Sequence, residues 1–368
     1  MSEIKNKIIT ISGEPRSGKS TVVKKIVEKY QSLGYRVHVV ETGAIFRKKS
    51  EEAYFKMYPD RTNVNQADIQ SDEAFAEFRA QIDTFIDEHI AELGKEINSE
   101  ERPNDVYIID SRLAWHNIPD SYAIRLTVAE QIAGERALLD KSKGSQDSYD
   151  NVQDATEKTR QRKLGEIKRY KERYGVDLTD PNNYDLIVDT SYSNTAELAD
   201  IIIDGEKSYR EGTDYPKMWA SPACFIGTQK LEKTCDETGG SFGYRPEELA
   251  KIMKREGYNP QKGQVTILEN YGEKFVQDGH HRAMAALAMG KTLIPYTINK
   301  DEIDNKYMEP AQNNLWFAYD WSDCIKYFGG NIGKQKQFEK FSVKDLTAYE
   351  SRIKGMIEEV MKKSQEER

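Results

Sequence analysis

The stretch KIITISGEPRSGKSTVVKKI, residues 7–26, decides the fold of the first half of the chain. Lys7 to Ser12 is a short β-branched run with the composition of a buried strand. It ends at a glycine-rich turn. From Thr21 to Leu33, Val22, Val23, Ile26 and Val27 recur at helical spacing among lysines, and Gly34 supplies the stop. Between strand and helix, Gly13-Glu14-Pro15-Arg16-Ser17-Gly18-Lys19-Ser20 satisfies G-x-x-x-x-G-K-[ST]. Glycines let successive backbone N–H groups point at one anion, and the helix start adds the positive end of its dipole. On this reading Gly13, Arg16, Ser17, Gly18, Lys19, Ser20 and Thr21 bind ATP. Lys19 reaches the β- and γ-phosphates, and the Ser20 hydroxyl is a ligand for Mg²⁺. The alternative is an accidental match, against which stand the flanking strand and helix.

Working outward, Tyr35 to Glu41 is a second strand, and strand–helix–strand alternation is the mark of a parallel sheet covered by helices. Asp72 to Leu93 is amphipathic and helical. Val106–Asp110 and Ala123–Val128 are strands, Ala129–Leu139 is a helix, and the polar run Lys141–Asp154 is a loop. A basic helix spans Thr156–Tyr174, Leu186–Asp189 closes the sheet, and Thr195–Ile203 is a helix. The chain turns polar near Gly205–Pro216, the expected domain boundary. Beyond it, Gln264–Leu268, Lys274–Gln277 and Leu293–Ile298 are short strands, with a helix from about Gly279 to Met289 capped by Asp278 and stopped by Gly290. From Asp301 the chain is charged and helical, with an aromatic patch, NNLWFAYDW, suited to a core. The expected domains are 1–208, 209–300 and a helical extension, 301–368.

At 368 residues the chain is too long for one ordinary core. A formal net charge of −8 disfavours broad binding to nucleic acid, without excluding a local basic groove. The three cysteines lack metal-ligand spacing, and no apolar run approaches a membrane span or a cleavage signal. The expectation is a soluble, reduced, cytoplasmic protein.

Arginines narrow the chemistry. Arg47 follows the second strand, Arg112 follows VYIID, and Arg160, Arg162, Arg169 and Arg173 lie on the basic helix. Arg162 and Arg169 project from one helical face. Arginines from separated segments that converge on phosphates supply the neutralisation that phosphoryl transfer needs. The bland alternative for the helix is a solvated charged face, since Glu166 and Glu172 interleave.

ITISGEPRSGKSTVVKKI, TGAIFRKKSEE, VYIIDSRLAWH and RKLGEIKRYKERYGVDLTDPNNYDLIVDTS together resemble the cytidylate-kinase-like branch of the nucleoside monophosphate kinases, in order over about residues 5–205. The D-[GS]-R-L-A and R-Y-x-x-x-Y-G-[VI]-D segments are the specific parts, with Ser111 where the family usually has glycine. The resemblance implies an α/β P-loop fold, a parallel sheet with helices on both faces and a lid. It implies that Arg47 and Arg112 hold the acceptor phosphate, that Arg162 and Arg169 close over the transferring group, and that Asp110 sits near Mg²⁺ or the acceptor. CMP or a related pyrimidine nucleotide is the implied acceptor. Asp110 also suits a base for a hydroxyl acceptor, such as a hydroxymethylpyrimidine in DNA.

A second polar cluster lies at Asp278-Gly279-His280-His281-Arg282, in a chain with only five histidines. Cations in a first helical turn oppose the dipole, whereas an anion there gains from the free N–H groups and from Arg282. The alternatives are a satisfied polar helix start and a metal pair. The segment resembles the ParB/sulfiredoxin-like fold, and specifically the ParB-like free serine kinases with their DGHHR motif, over about residues 220–299. The resemblance implies a smaller α+β domain, phosphate binding by the motif, and a glutamate base, for which Glu232 is the nearest candidate with Glu237 behind it. Free serine phosphorylation and a non-catalytic nucleotide sensor or DNA adaptor are both open for this half.

Overall fold

The computed structural model describes residues 6–61, 69, 72–140, 149–229, 246–256, 264–270, 273–289 and 291–299, with Ser351, Gly355, Glu358 and Lys362 as isolated positions. The candidate bases Glu232 and Glu237, and the expected C-terminal extension apart from those four positions, lie outside the described residues. Two compact units emerge: Met1–Ser191 with Leu198–Tyr215, and Tyr192–Glu197 with Pro216–Arg368.

In the first unit, β1 (Lys7–Gly13), α1 (Lys19–Ser32), β2 (Arg36–Glu41) and α2 (Thr42–Met57) come first. After them come α3 (Ala76–Ser99), β3 (Asp105–Asp110), α4 (Ala114–Asn117), β4 (Tyr122–Thr127), α5 (Glu130–Leu139) and α6 (Val152–Tyr174). Last are β5 (Leu186–Asp189) and α7 (Thr195–Glu211), which joins this unit from Leu198. The strand order is β2-β3-β1-β4-β5, with every pair parallel. Parallel strands covered on both faces read as continuous apolar runs, and β1 and β3 are buried along their whole lengths. One core cluster packs Ile8, Tyr107 and Ile109 of the sheet against Tyr54 of α2 and Ile82, Ile86 and Ile90 of α3.

The register places the chemistry. Ile11 pairs with Asp110, and Gly13 pairs with Leu126. The carboxyl ends of β1, β3 and β4 therefore share one edge of the sheet, where the glycine-rich loop leaves β1. Helix α7 runs past its expected end at Ile203 to Glu211. The cause is tertiary: the Glu206 carboxylate is buried, accepts from the Tyr30 hydroxyl at 3.2 Å, and pairs with Arg210 at 2.5 Å. A charged sequence is thereby held as helix by a partner in α1.

In the second unit the elements are β6 (Met218–Ala220), β7 (Phe225–Ile226), α8 (Pro246–Glu256), β8 (Val265–Asn270), β9 (Glu273–Asp278), α9 (His280–Ala288) and β10 (Ile294–Ile298). The order is β6-β10-β8-β9-β7, in mixed orientation. Met284 and Leu287 of α9 pack on Val265, Ile267, Val276, Ile294 and Tyr296. The expected N-cap is corrected here. Asp278 ends β9, opposite Thr266, and the cap position is Gly279, with φ 90° and no side-chain cap. A Cβ at Gly279 would lie 3.2 Å from the Val265 Cα, so both the backbone angle and the space favour glycine. Among the described residues no helix is long and apolar enough to cross a membrane.

Candidate active site

The loop from Gly13 to Ser20 begins as β1 ends. Gly18, at φ 78°, precedes α1 as a cap without a side-chain hydrogen bond. The first-turn N–H groups of a helix have no intrahelical acceptor, so this helix start can accept an anion. The loop is pulled taut from behind. Thr190 donates its hydroxyl to the Ser17 carbonyl at 2.8 Å, Arg136 donates to the Arg16 carbonyl at 3.1 Å, and the Arg16 guanidinium donates to Asp140 at 2.5 Å. Arg16 itself sits at φ 65°, an unusual conformation for a side chain with a Cβ. Two observations fit a phosphate-holding loop. The Ser17 hydroxyl is buried without a hydrogen-bond partner, and a Cβ on Gly13 would come within 2.7 Å of it. A buried hydroxyl without a partner costs about 1–3 kcal/mol, which a bound acceptor oxygen would relieve.

Lys19 reaches across to the Asp110 carboxylate at the end of β3 and forms an ion pair with it. Burial lowers the Lys19 pKa, the nearby charge of Arg112 lowers it further, and Asp110 opposes both. Ser20 and Thr21 lie exposed at the helix start. Magnesium needs only one or two protein oxygens beside those of a nucleotide, and Ser20, next to Lys19, and Asp110, its ion-pair partner, are the residues that would supply them.

Helix α6 roofs the loop. A small cleft is lined by Ser12, Gly13, Glu14 and Pro15 from the loop side, Arg112, Arg125 and Leu178, and Lys163, Glu166 and Ile167 from α6. Two ion pairs of opposite polarity hold the roof. Glu14 accepts from Lys163 at 3.1 Å while also pairing with Arg125 at 3.1 Å. Arg112 grips Glu166 with both arms of its fork, at 2.9 and 3.4 Å. Arg162 joins the same carboxylate at 3.3 Å. Burial works to raise the Glu166 pKa, but the charges of Arg112 and Arg162 outweigh it and hold the carboxyl below its ordinary value.

The structure thus brings Lys19, Asp110, Arg112 and Arg162 to one place, with Arg169 close enough for its charge to act on Glu166. Arg47 is exposed on α2. Arg173 is committed elsewhere, to Asp83, the Ala80 carbonyl and Thr84 of α3, and Arg160 pairs with Glu157. Sequence reasoning passed over Glu14, Arg125, Lys163, Arg136 and Thr190, and treated Glu166 as a mark of a solvated face. One signal was available: an acidic residue inside a phosphate-type loop needs a cation nearby, so Glu14 called for a partner.

In the second unit, His280 turns inward. Its Nε2 accepts the Thr228 N–H at 3.2 Å, and Thr228 donates its hydroxyl to the Val276 carbonyl at 2.5 Å. Burial pushes the imidazole pKa down to about 4, and the neighbouring His281 adds to this. His280 is therefore neutral at physiological pH and acts as a hydrogen-bond acceptor. Arg282 donates to the Gln264 carbonyl at 2.9 Å, and His281 is partly exposed. A stability prediction follows. The unfolded imidazole titrates near 6.5 and the folded one near 4, so between these values the unfolded chain binds the additional proton. This contribution is complete above pH 6.5 and declines as pH falls, by about 3 kcal/mol at the acid limit. Urea unfolding of this unit should shift to lower midpoint between pH 7 and pH 5. His280→Gln should flatten that slope, and an unchanged slope would contradict the assignment.

A parallel sheet with a lysine-bearing glycine loop at the carboxyl ends of its strands, roofed by an arginine-bearing helix, has the build of a nucleotide kinase. Residues 8–192 match the model of the cytidylate kinase-like family, and the chain belongs to that family. It is 31% identical over 195 residues to the cytidylate kinase of Methanocella arvoryzae, a match covering 53% of this chain and 94% of that protein. It is 31% identical over 194 residues to the cytidylate kinase of Methanocaldococcus jannaschii, covering 50% and 88% respectively. It is also 30% identical over 196 residues to an S-adenosylmethionine-dependent nucleotide dehydratase of Lacinutrix mariniflava, covering 53% of this chain and 35% of that protein. The family match ends at residue 192, before the sheet of the second unit begins.

Proposed function

We propose that the first unit transfers the γ-phosphoryl group of ATP, with Mg²⁺, to a nucleoside monophosphate, with CMP or a related pyrimidine nucleotide as acceptor. The observation that carries this is that Lys19 of the glycine-rich loop pairs with Asp110 and feels the charge of Arg112, which lines the cleft beside that loop and shares Glu166 with Arg162. In this reading the loop from Gly13 to Thr21 cradles the ATP phosphates and Lys19 leaves Asp110 for the β- and γ-oxygens. Mg²⁺, held through Ser20 with Asp110 nearby, supplies charge neutralisation between the phosphates. Arg47 and Arg112 hold the acceptor phosphate. Arg162 and Arg169 ride on α6 and neutralise the charge of the transferring group. An acceptor phosphate is already nucleophilic, so no side chain has to take a proton from it.

The test is a transfer assay from labelled ATP to CMP, dCMP, UMP, L-serine and hydroxymethylated DNA. Preference for CMP or dCMP is expected. Asp110→Asn separates acceptor classes, because a hydroxyl acceptor loses its base and turnover collapses, whereas a phosphate acceptor retains measurable transfer. Transfer to serine or modified DNA alone would overturn the nucleotide reading. For the second unit the proposed role is recognition of a nucleotide phosphate at the start of α9. His281, Arg282 and the α9 amides are the contacts, Gly279 lets Val265 pack against the helix start, Asp278 is at the strand end, and His280 is the inward-facing support. Equilibrium dialysis of ATP against the full chain is expected to give two sites, reduced to one by Lys19→Ala. A single site that vanishes with Lys19→Ala would remove this second role.

A further inference from the structure

Helix α6 carries many charges, and most pair along the helix itself. Lys158 pairs with Asp154, Arg160 with Glu157, and Lys168 with Glu172, all one turn apart. Glu166 differs. Its carboxylate, 17% exposed, accepts a two-pronged contact from Arg112 at 2.9 and 3.4 Å and a third from Arg162 at 3.3 Å. Carboxylates and phosphates take the same forked geometry from a guanidinium. The two arginines carry two positive charges against the one negative charge of Glu166. A phosphate dianion in its place would balance both. Exchange of the carboxylate for a phosphate dianion would match the charge of these two guanidiniums, with Arg169 acting on the same place from further off.

We propose that Glu166 is a placeholder anion: it keeps Arg112 and Arg162 converged until a substrate phosphate displaces it. This rests on the reading of Arg112 and Arg162 as phosphate-holding groups. Glu166 is on this account a positioning residue that never touches the reacting atoms. Its charge competes with the substrate, while its oxygens preserve the spacing of the two guanidiniums.

Glutamine separates the two properties, since its amide oxygen still accepts from the arginines but carries no charge. Calorimetric titration of the full chain with inorganic phosphate and with CMP is expected to give about tenfold tighter binding of both to Glu166→Gln. The KM for the acceptor should fall in parallel, with kcat changed less than KM. Glu166→Asp keeps the charge but withdraws it by one methylene, loosening the hold on Arg112, and about threefold tighter phosphate binding is expected. It serves as the test if Glu166→Gln does not fold. Glu172→Gln makes the same charge change at an exposed site on the same helix and should leave phosphate affinity within about twofold. Unchanged or weaker phosphate binding in the Glu166 variants, or equal tightening in Glu172→Gln, would overturn the proposal. The phosphate titration needs no turnover. Absence of CMP phosphorylation by the wild-type chain would defeat the functional reading while leaving the placeholder role to be decided on its own.

Discussion

Lys19→Ala is expected to lower phosphoryl transfer about a thousandfold, because it removes a preorganised cation from the place where phosphate charge develops. The variant also has a structural side. The Asp110 side chain is only 9% exposed and faces Lys19, so alanine leaves a largely buried carboxylate without its ion-pair partner. Removing one member of such a pair is destabilising, and loss of activity alone could then reflect unfolding. The double substitution Lys19→Ala with Asp110→Asn resolves this. A neutral amide tolerates the site without a cation, so thermal stability should recover most of what the single variant lost while transfer stays about a thousandfold down. Rates above about a tenth of wild type in either variant, at matched stability, would remove Lys19 from the chemistry.

Arg112 should give the second largest effect. Its fork is already used in full on Glu166, which shows that both arms are within reach of one planar anion. Arg112→Lys keeps the charge and loses the fork, and the two are not equivalent at a bidentate site. We expect kcat/KM for the acceptor to fall about a hundredfold or more in Arg112→Lys and further in Arg112→Ala. The KM for ATP should move by less than about threefold, since Lys19 and the loop hold that substrate in this reading. Steady-state kinetics with each substrate varied in turn provides the check. Equal losses on the ATP and acceptor sides would mean that Arg112 supports the loop rather than the acceptor.

Much of the first unit was legible because its defining segment is contiguous. KIITIS, the glycine loop and the lysine-spaced apolar residues state a strand, a turn and a helix within a few neighbouring residues. The strand Leu186–Asp189 was readable for the same reason, being an apolar run that ends sharply at polar residues. What could not be read was anything set by distance along the chain. Lys19 and Asp110 are 91 residues apart, and only the β1–β3 register brings them together. Glu166 looks, from spacing, like any acidic residue in a solvated helix, and its inward commitment depends on Arg112, 54 residues away. The last two turns of α7 were missed because their support comes from Tyr30 in α1. In the second unit β6 and β7 span only Met218–Ala220 and Phe225–Ile226, too short for a periodic pattern to show. Asp278 was assigned as a cap on residue type, and the left-handed Gly279 displaced it because β9 runs straight into α9 with no room for another linking residue.

The position of β1 bears on synthesis as well as chemistry. It leaves the ribosome well before either of its hydrogen-bonding neighbours, β3, beginning opposite Lys7 at Val106, and β4, where Ile9 meets Tyr122. At translation speeds of about 5–20 residues per second, an apolar strand with two open edges waits roughly 5–20 seconds for either neighbour to be made. During that interval the same residues that later position the loop are a hazard for aggregation.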